Sequence, residues 1–474
     1  MASSQHNFSP KRQNPIIFEP FRIKSVEPIR MTTVAQRAAW VTEAHGNLFH
    51  VPADCVMFDL LTDSGTGSLS ANQWSAMMQA DESYAAASSW FRFRNAVRDV
   101  FGLEHVIPTH QGRAAEHLLF KVLLTQYAKQ HQHIYNMSIH DLIVPNNTHF
   151  DTTRANIEER QATAVDLPCA ESNDLTSDYG FKGNMDLETL ATLLETKADY
   201  IPFVMMTVTN NAEGGQPVSL TNLRAVQQLC QHHHKLFIID ACRFAENAFF
   251  IQEREHPEMD IRQIVRAVFE LADGVTMSAK KDGMSNMGGF LALRDATLTQ
   301  TCRTHLVVTE GFPTYGGLSG RDLECIAVGL YEALDSHYLE YRVGSIRYAV
   351  QALRERGVPV LTPSGGHAIF LNAAQFCPGM KFPGQAVALE LYIRGGIRCC
   401  EIGSVMFPRA RHELVRLAIP RRVYTQSHID YIIHMVHEVW KHRSEIPAVR
   451  MTYEPPVLRH FGAHFERISA GIDE

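Results

Sequence analysis

The sequence predicts an α/β fold, with a large domain on a mostly parallel sheet and a smaller α+β domain after it. Three observations predict it. Short β-rich apolar runs alternate with amphipathic helical text in mid-chain, polar residues gather just after those runs, and the pattern changes near Leu323. Alternating β-α-β text builds a parallel sheet covered on both faces, and such sheets bind ligands beyond the carboxyl ends of their strands.

In chain order, residues 1–15 are polar with no apolar segment, the composition of a disordered tail rather than a signal peptide. Residues 16–58 read as an N-terminal arm and part of the small domain, 59–322 as the large domain and 323–474 as the small C-terminal domain. "PTHQGRAAEHLLFKVLL", from Pro108, is a turn opening into a helix, with Gln111, Gly112 and Arg113 where free N–H groups suit an anion. "IPFVMMTVT" (201–209) is a strand ending at Asn210 and Asn211. The next segment is a helix with Ser219 or Thr221 as N-cap. "LFIID" (236–240) is a strand that delivers Asp240 and, three residues on, Arg243. From Asp260, apolar residues at 261, 264, 265, 268, 271 and 272 have helical period. "GVTMS" (274–278) is a strand ending in Ser278, Ala279, Lys280 and Lys281, and "GGFLALRD" (288–295) returns antiparallel because the connection is short. Long helical text follows from 323 to 357, then short strands such as "HAIFLNA", then a helix over roughly 428–442.

Composition narrows the function. The 474 residues are 45% hydrophobic and 20% charged, ordinary for a globular protein, and the net charge of -7 argues against nucleic acid as a partner. No apolar run reaches membrane-spanning length. Nine cysteines, an odd number with no C-x-x-C pair, suit reduced thiols in a cytoplasm. The three histidines of "QHHHK" (231–235) point different ways on a helix and make no metal site. No G-x-G-x-x-G follows a strand, which argues against a nicotinamide enzyme.

An anion cradle, a strand-end acid and a lysine together fit pyridoxal phosphate. Asp240 must be paired if buried, either with Arg243 or with a pyridinium nitrogen, Arg243 then meeting the ring hydroxyl oxygen. Ser278 is a strand-end cap or a phosphate ligand. Two adjacent lysines are a solvated turn unless one is catalytic, its pKa lowered by the other cation. Arg416, alone in the apolar run "ELVRLAIPRR", is an internal ion-pair partner or a bidentate reader of a substrate carboxylate.

Longer blocks carry a resemblance: "DLLTDSGTG" from Asp59, "PTHQGRAAE" from Pro108, "FDTTR" from Phe150, "GGQPVS" from Gly214, "MSAKKD" from Met277, "EGFPTYGGLSGRD" from Glu310 and "VRLAIPRR" from Val415. From 19 to 461 the chain resembles the tryptophanase/tyrosine phenol-lyase family of β-eliminating lyases, of the type I, aspartate-aminotransferase-like PLP-dependent transferase fold. The resemblance implies Lys281 as the lysine that carries the cofactor and takes the α-proton, with Lys280 as its tuning neighbour. It implies phosphate contacts from Gln111, Gly112, Arg113 and Ser278, stacking by Phe150, and ring contacts from Asn211, Asp240 and Arg243. Thr62, Ser64 and Arg416 fall near the amino-acid end of the substrate. Tyr84 is implied in proton transfer, reaching the site from a neighbouring subunit of a homotetramer. A potassium ion is implied at Glu82 with the carbonyls of Gly65 and Asn286.

Three positions bear on the leaving group. Where the tyrosine-cleaving members carry Thr, Arg and Phe, this chain has Asp151, Ile402 and His460. The resemblance therefore implies L-tryptophan as substrate, split to indole, pyruvate and ammonium, with Asp151 and His460 as an acid–base pair and Ile402 as apolar wall. Another aromatic or β-substituted amino acid is the alternative substrate. A non-catalytic assembly or regulatory relative is the alternative of another class, and the intact Lys281, Asp240 and Arg416 argue against it. Ala114, Cys242, Glu213 and "DESYAAAS" depart from the family pattern and put rate and substrate range in doubt.

Overall fold

The computed structural model describes residues 18–135 and 137–468, so the tail expected at 1–15 lies outside the described residues. After α1 (Val34–Glu43) come α2 (Ser88–Phe101), β1 (His105–Thr109), α3 (Gly112–Tyr135), β2 (Ile143–Asn146), α4 (Asp151–Glu158) and β3 (Thr163–Asp166). The alternation expected from residue 201 follows as β4 (Phe203–Thr207), α5 (Leu220–His232), β5 (Leu236–Asp240), α6 (Phe244–Arg254), α7 (Ile261–Phe269), β6 (Gly274–Ser278) and β7 (Gly289–Leu293). Local chemistry sets these bounds. Ser219 caps α5 and Asp260 caps α7, each accepting a backbone N–H of the first turn, and Ile261, Ile264, Val265, Val268 and Phe269 bury one face of α7.

The five-stranded sheet has the order β1-β7-β6-β5-β4. β4, β5 and β6 are parallel, with Thr207 beside Asp240 and Asp240 beside Thr276. β7 runs antiparallel to both β6 and β1, so half of the pairings are antiparallel while only one strand is reversed. The short connection after β6 forces that return. β2 and β3 form a separate parallel pair, tied to β4 by side chains: Asn147 Nδ2 donates to the Thr207 carbonyl at 3.0 Å and Asn146 Nδ2 to Thr207 Oγ1 at 3.2 Å. Strand ends therefore converge on one edge, which carries Gln111, Phe150, Asn211, Asp240 and Lys281.

The helical text after 323 divides into α8 (Gly320–Glu332) and α9 (Ser336–Glu355), because Asp335 caps a new helix by accepting the Tyr338 N–H. β8 (Ala368–Asn372), α10 (Pro383–Gly395), β9 (Cys400–Ile402), β10 (Leu414–Ala418) and α11 (Gln426–Lys441) follow in the second unit, with a three-stranded antiparallel sheet of order β9-β10-β8 under helices, and an antiparallel pair, Ala448–Tyr453 with His464–Ile468, closes it. Among the described residues the apolar side chains form four clusters, and the two largest meet along α9. α9 serves both: Tyr338, Leu339 and Val343 lie in the first, Ile346, Ala349, Val350 and Leu353 in the second. α1 adds Val41 to the second core. No helix among the described residues is long and apolar enough to cross a membrane.

Candidate active site

The strand-end edge encloses a cavity. Its lining includes Ser64, Gln111, Gly112, Arg113, Phe150, Asn211, Asp240, Arg243, Ser278, Lys280 and Lys281, so eleven residues singled out in the sequence meet in one place. At one end, α3 begins directly on Ser278. A Cβ at Gly112 would stand 2.7 Å from Ser278 Cβ and 2.9 Å from its backbone N, so only glycine lets the helix N-terminus come this close. Arg113 and Lys280 line the same cavity as those free N–H groups. Behind Gln111, Glu310 bonds His110 Nδ1, and His110 Nε2 lies 3.0 Å from Gln111 Nε2.

At the other end stands Asp240, buried, with Oδ1 accepting the Cys242 N–H at 3.0 Å. Burial pushes its carboxyl up and Lys281 pulls it back. Arg243 does not pair with Asp240. Its guanidinium grips Asp63 with two bonds of 3.0 and 2.7 Å, leaving Nη1 with only Cys242 Sγ at 3.9 Å. Asp63 also meets Arg421 at 2.9 Å, and Arg421 meets Glu246 at 2.8 Å and Asp282 at 2.7 Å. Arg342 adds a bond to Glu246 at 3.1 Å. Burial would raise the Asp63 carboxyl, but Arg243 leads a set of cations that holds it well below the carboxylate range. Lys280 is held below its usual range by burial first, then by Lys281 and Arg113.

From the second unit, Arg416 on β10 reaches Asn211 of the cavity wall without lining the cavity itself. Nη1 donates to Asn211 Oδ1 at 3.0 Å and Nη2 to the Leu61 carbonyl at 2.9 Å, while Nε is buried without a partner. Thr62 does not line the cavity; its Oγ1 accepts the Ser64 N–H at 3.1 Å and so shapes the turn that does. Asp151 and His460 come together across the units, Nε2 to Oδ2 at 3.1 Å, both buried, with His460 Nδ1 left unpartnered. Phe49 packs on His460 at 5.9 Å and against the apolar cluster that holds Ile402.

Tyr84 and Glu82 are not brought into this cavity. Tyr84 is 69% exposed and leans on Phe312 and Tyr315. Glu82 accepts the Gly320 N–H at 3.0 Å at the start of α8. Gly65 and Asn286 do stand together, the Asn286 amide donating to the Gly65 and Gly67 carbonyls at 3.0 Å. Glu213 is not a loose charge: it binds Arg411 and accepts from Thr148 Oγ1 at 2.7 Å.

Glu116, Thr153, Thr207 and Thr276 also line the cavity and were not foreseen, nor was the network of Asp63, Glu246, Asp282, Arg342 and Arg421. Glu116 carried a signal, since it lies three residues after Arg113 on one helix and shares its face. The network carried little, because its members are scattered from 63 to 421.

A sequence profile described as beta-eliminating lyase matches residues 59–434. A tryptophanase of Hyphomonas neptunium is 52% identical over 465 residues, 95% of this chain and 99% of the relative. A tryptophanase of Rhodobacter capsulatus is 50% identical over the same shares. A tyrosine phenol-lyase of Symbiobacterium sp. is 44% identical over 95% of this chain and 99% of its own. Among solved structures, a Sphingomonas wittichii serine palmitoyltransferase covers 87% of this chain and 98% of its own with a TM-score of 0.59 at 14% identity, a likeness of fold.

Proposed function

The chain belongs to the beta-eliminating lyase family, and from that premise we propose that it is a pyridoxal-phosphate-dependent lyase that cleaves L-tryptophan to indole, pyruvate and ammonium. The observation that carries this reading is the single cavity joining a helix N-terminus, Asp240 and the lysine pair. The donor set fits the cofactor. Gln111, Gly112, Arg113 and Ser278 would hold the phosphate, Phe150 the ring face and Asp240 the ring nitrogen, with Asn211 and the spare Nη1 of Arg243 near the ring hydroxyl. When bound, the cofactor supplies an electron sink for the carbanion formed at the substrate Cα.

The chain's own residues do the rest. Arg416 meets the substrate carboxylate, its unpartnered Nε giving it a donor to spare. Lys281 takes the α-proton, with Lys280 beside it in the same cavity. Asp151 holds His460 through Nε2 and leaves Nδ1 without a partner, the atom that would meet the leaving ring, and Ile402 supplies apolar wall. Tyr84, exposed in its own chain, acts from a second copy and protonates the aromatic carbon that leaves. The exposed apolar side chains of Trp74, Met78, Tyr84 and Val308 support association into a homotetramer. The Gly65 and Asn286 carbonyls would supply part of an oxygen set for potassium, a hard cation, with Glu82, held here at the start of α8, supplied by a second copy. Nine free, buried cysteines support a reducing cytoplasm.

Incubation with L-tryptophan, L-tyrosine and a β-substituted amino acid, with indole, phenol and pyruvate measured, tests the reading. Indole and pyruvate in equal amounts from tryptophan are expected, with tyrosine a poor substrate. His460→Phe should damage tryptophan turnover more than turnover of a substrate with a good leaving group. Phenol released from tyrosine faster than indole from tryptophan overturns the substrate assignment.

A further inference from the structure

The cavity holds a second carboxyl that the mechanism does not use. Glu116 lies on α3, one turn beyond Gly112 and Arg113, and is almost wholly buried. Its Oε1 accepts from Thr153 Oγ1 at 2.7 Å. Its Oε2 has no hydrogen-bond partner among the described residues, although the side chain lines the cavity. The groups that face it are Arg113 on its own helix, Asp240 and Cys242 at the end of β5, Arg243, and Lys280 and Lys281 after β6. α4 presents only Thr152 and Thr153 here, since Arg154 turns away to Asp166. Two opposing effects act on Glu116. The Thr153 hydrogen bond, Lys281, Arg113 and the helix N-terminus favour the carboxylate, whereas burial and the Asp240 charge favour the acid. Burial leads, with Asp240 behind it, and the carboxyl is pushed up to about 8.

We propose that Glu116 is a positioning residue of the cofactor site, standing beside Asp240 as a neutral carboxylic acid. It leaves the negative charge that meets the ring nitrogen to Asp240, and keeps a second anion away from the phosphate cradle one helical turn earlier. This rests on the cofactor reading above. The physical reason is Coulombic. A carboxylate at Glu116 would face both Asp240 and a phosphate dianion among buried groups, where like charges repel more strongly than in water. The proton on Glu116 removes that repulsion, and the hydrogen bond from Thr153 fixes which oxygen carries it.

Two measurements test this. Infrared difference spectra of the cofactor-free chain against Glu116→Gln, at neutral pH in H₂O and D₂O, should show a carboxylic-acid C=O stretch that shifts on deuteration. The band should bleach as pH is raised through about 8. Carboxylate bands in its place at neutral pH overturn the proposal. The second measurement is calorimetric binding of pyridoxine 5'-phosphate, which has no aldehyde to react with Lys281. Affinity in the native chain should fall as pH rises through that same range, and Glu116→Gln should lack this component of the fall. Identical pH dependence in both chains overturns the proposal. No binding by either chain overturns the cofactor reading itself, and this inference with it. If Glu116→Gln does not fold, Thr153→Val serves instead: loss of its hydrogen bond should displace the acid band, and an unmoved band overturns the assignment to Glu116.

Discussion

Replacing Gly112 with Ala asks how much the cofactor cradle depends on close approach of α3 to β6. The new Cβ would lie 2.7 Å from Ser278 Cβ and 2.9 Å from both its Cα and N, two of them backbone atoms that no rotamer change can move. Ordinary contact begins near 3.4 Å, so the helix start must retreat by about 0.7 Å from Ser278 Cβ. Overpacking of this kind costs about 1–3 kcal/mol. Charged to the cradle, that is a roughly 5- to 150-fold weaker hold on the cofactor, at about 1.4 kcal/mol per tenfold. Titration of the cofactor-free protein with pyridoxal phosphate, followed by absorbance, gives the dissociation constant directly. Turnover at saturating cofactor should suffer less than affinity. Gly180→Ala is the control, because its Cβ would meet only the flexible Arg254 side chain, at 3.3 Å. Affinity equal to native in Gly112→Ala, or an equal loss in both variants, would refute the argument.

Three further outcomes are expected. Borohydride reduction of the cofactor-loaded protein should leave an adduct on Lys281, absent in Lys281→Ala and kept in Lys280→Ala; peptide sequencing that places it on Lys280 reverses the assignment. Exchange of potassium for sodium should lower turnover, and Glu82→Gln should remove the difference; equal rates in the two salts for the native chain count against the cation site. Glu401, whose carboxylate accepts the Val405 and Met406 N–H groups at 3.0 Å, is pushed up to about 8 by burial. An acid raised in the folded state keeps its full stability below its ordinary value of 4.5 and loses it as pH rises from there through about 8. The urea midpoint of Glu401→Gln should therefore fall less across that window than the native one, and parallel slopes would sink the idea.

What the sequence determined by itself had local causes. Helical period announced α7, and β-rich runs at 201–209, 236–240 and 274–278 announced β4, β5 and β6. Because parallel strands all end on the same edge, residues just beyond those runs, Asn211, Asp240 and Lys281, had to meet. Charge pairing has no such local signature. Any buried arginine can be satisfied by any carboxylate that packing brings near, so the sequence offered Asp240 for Arg243 while the tertiary structure chose Asp63, 180 residues away. The same holds for Arg421 among Asp63, Glu246 and Asp282, and for the position of Glu116 near Asp240. Asp151 and His460 were legible only through resemblance, and their 3.1 Å contact exists because packing brings together two segments more than 300 residues apart in the chain. Burial, which sets the protonation of Glu116 and Glu401, is a property of that packing and of no single stretch of chain.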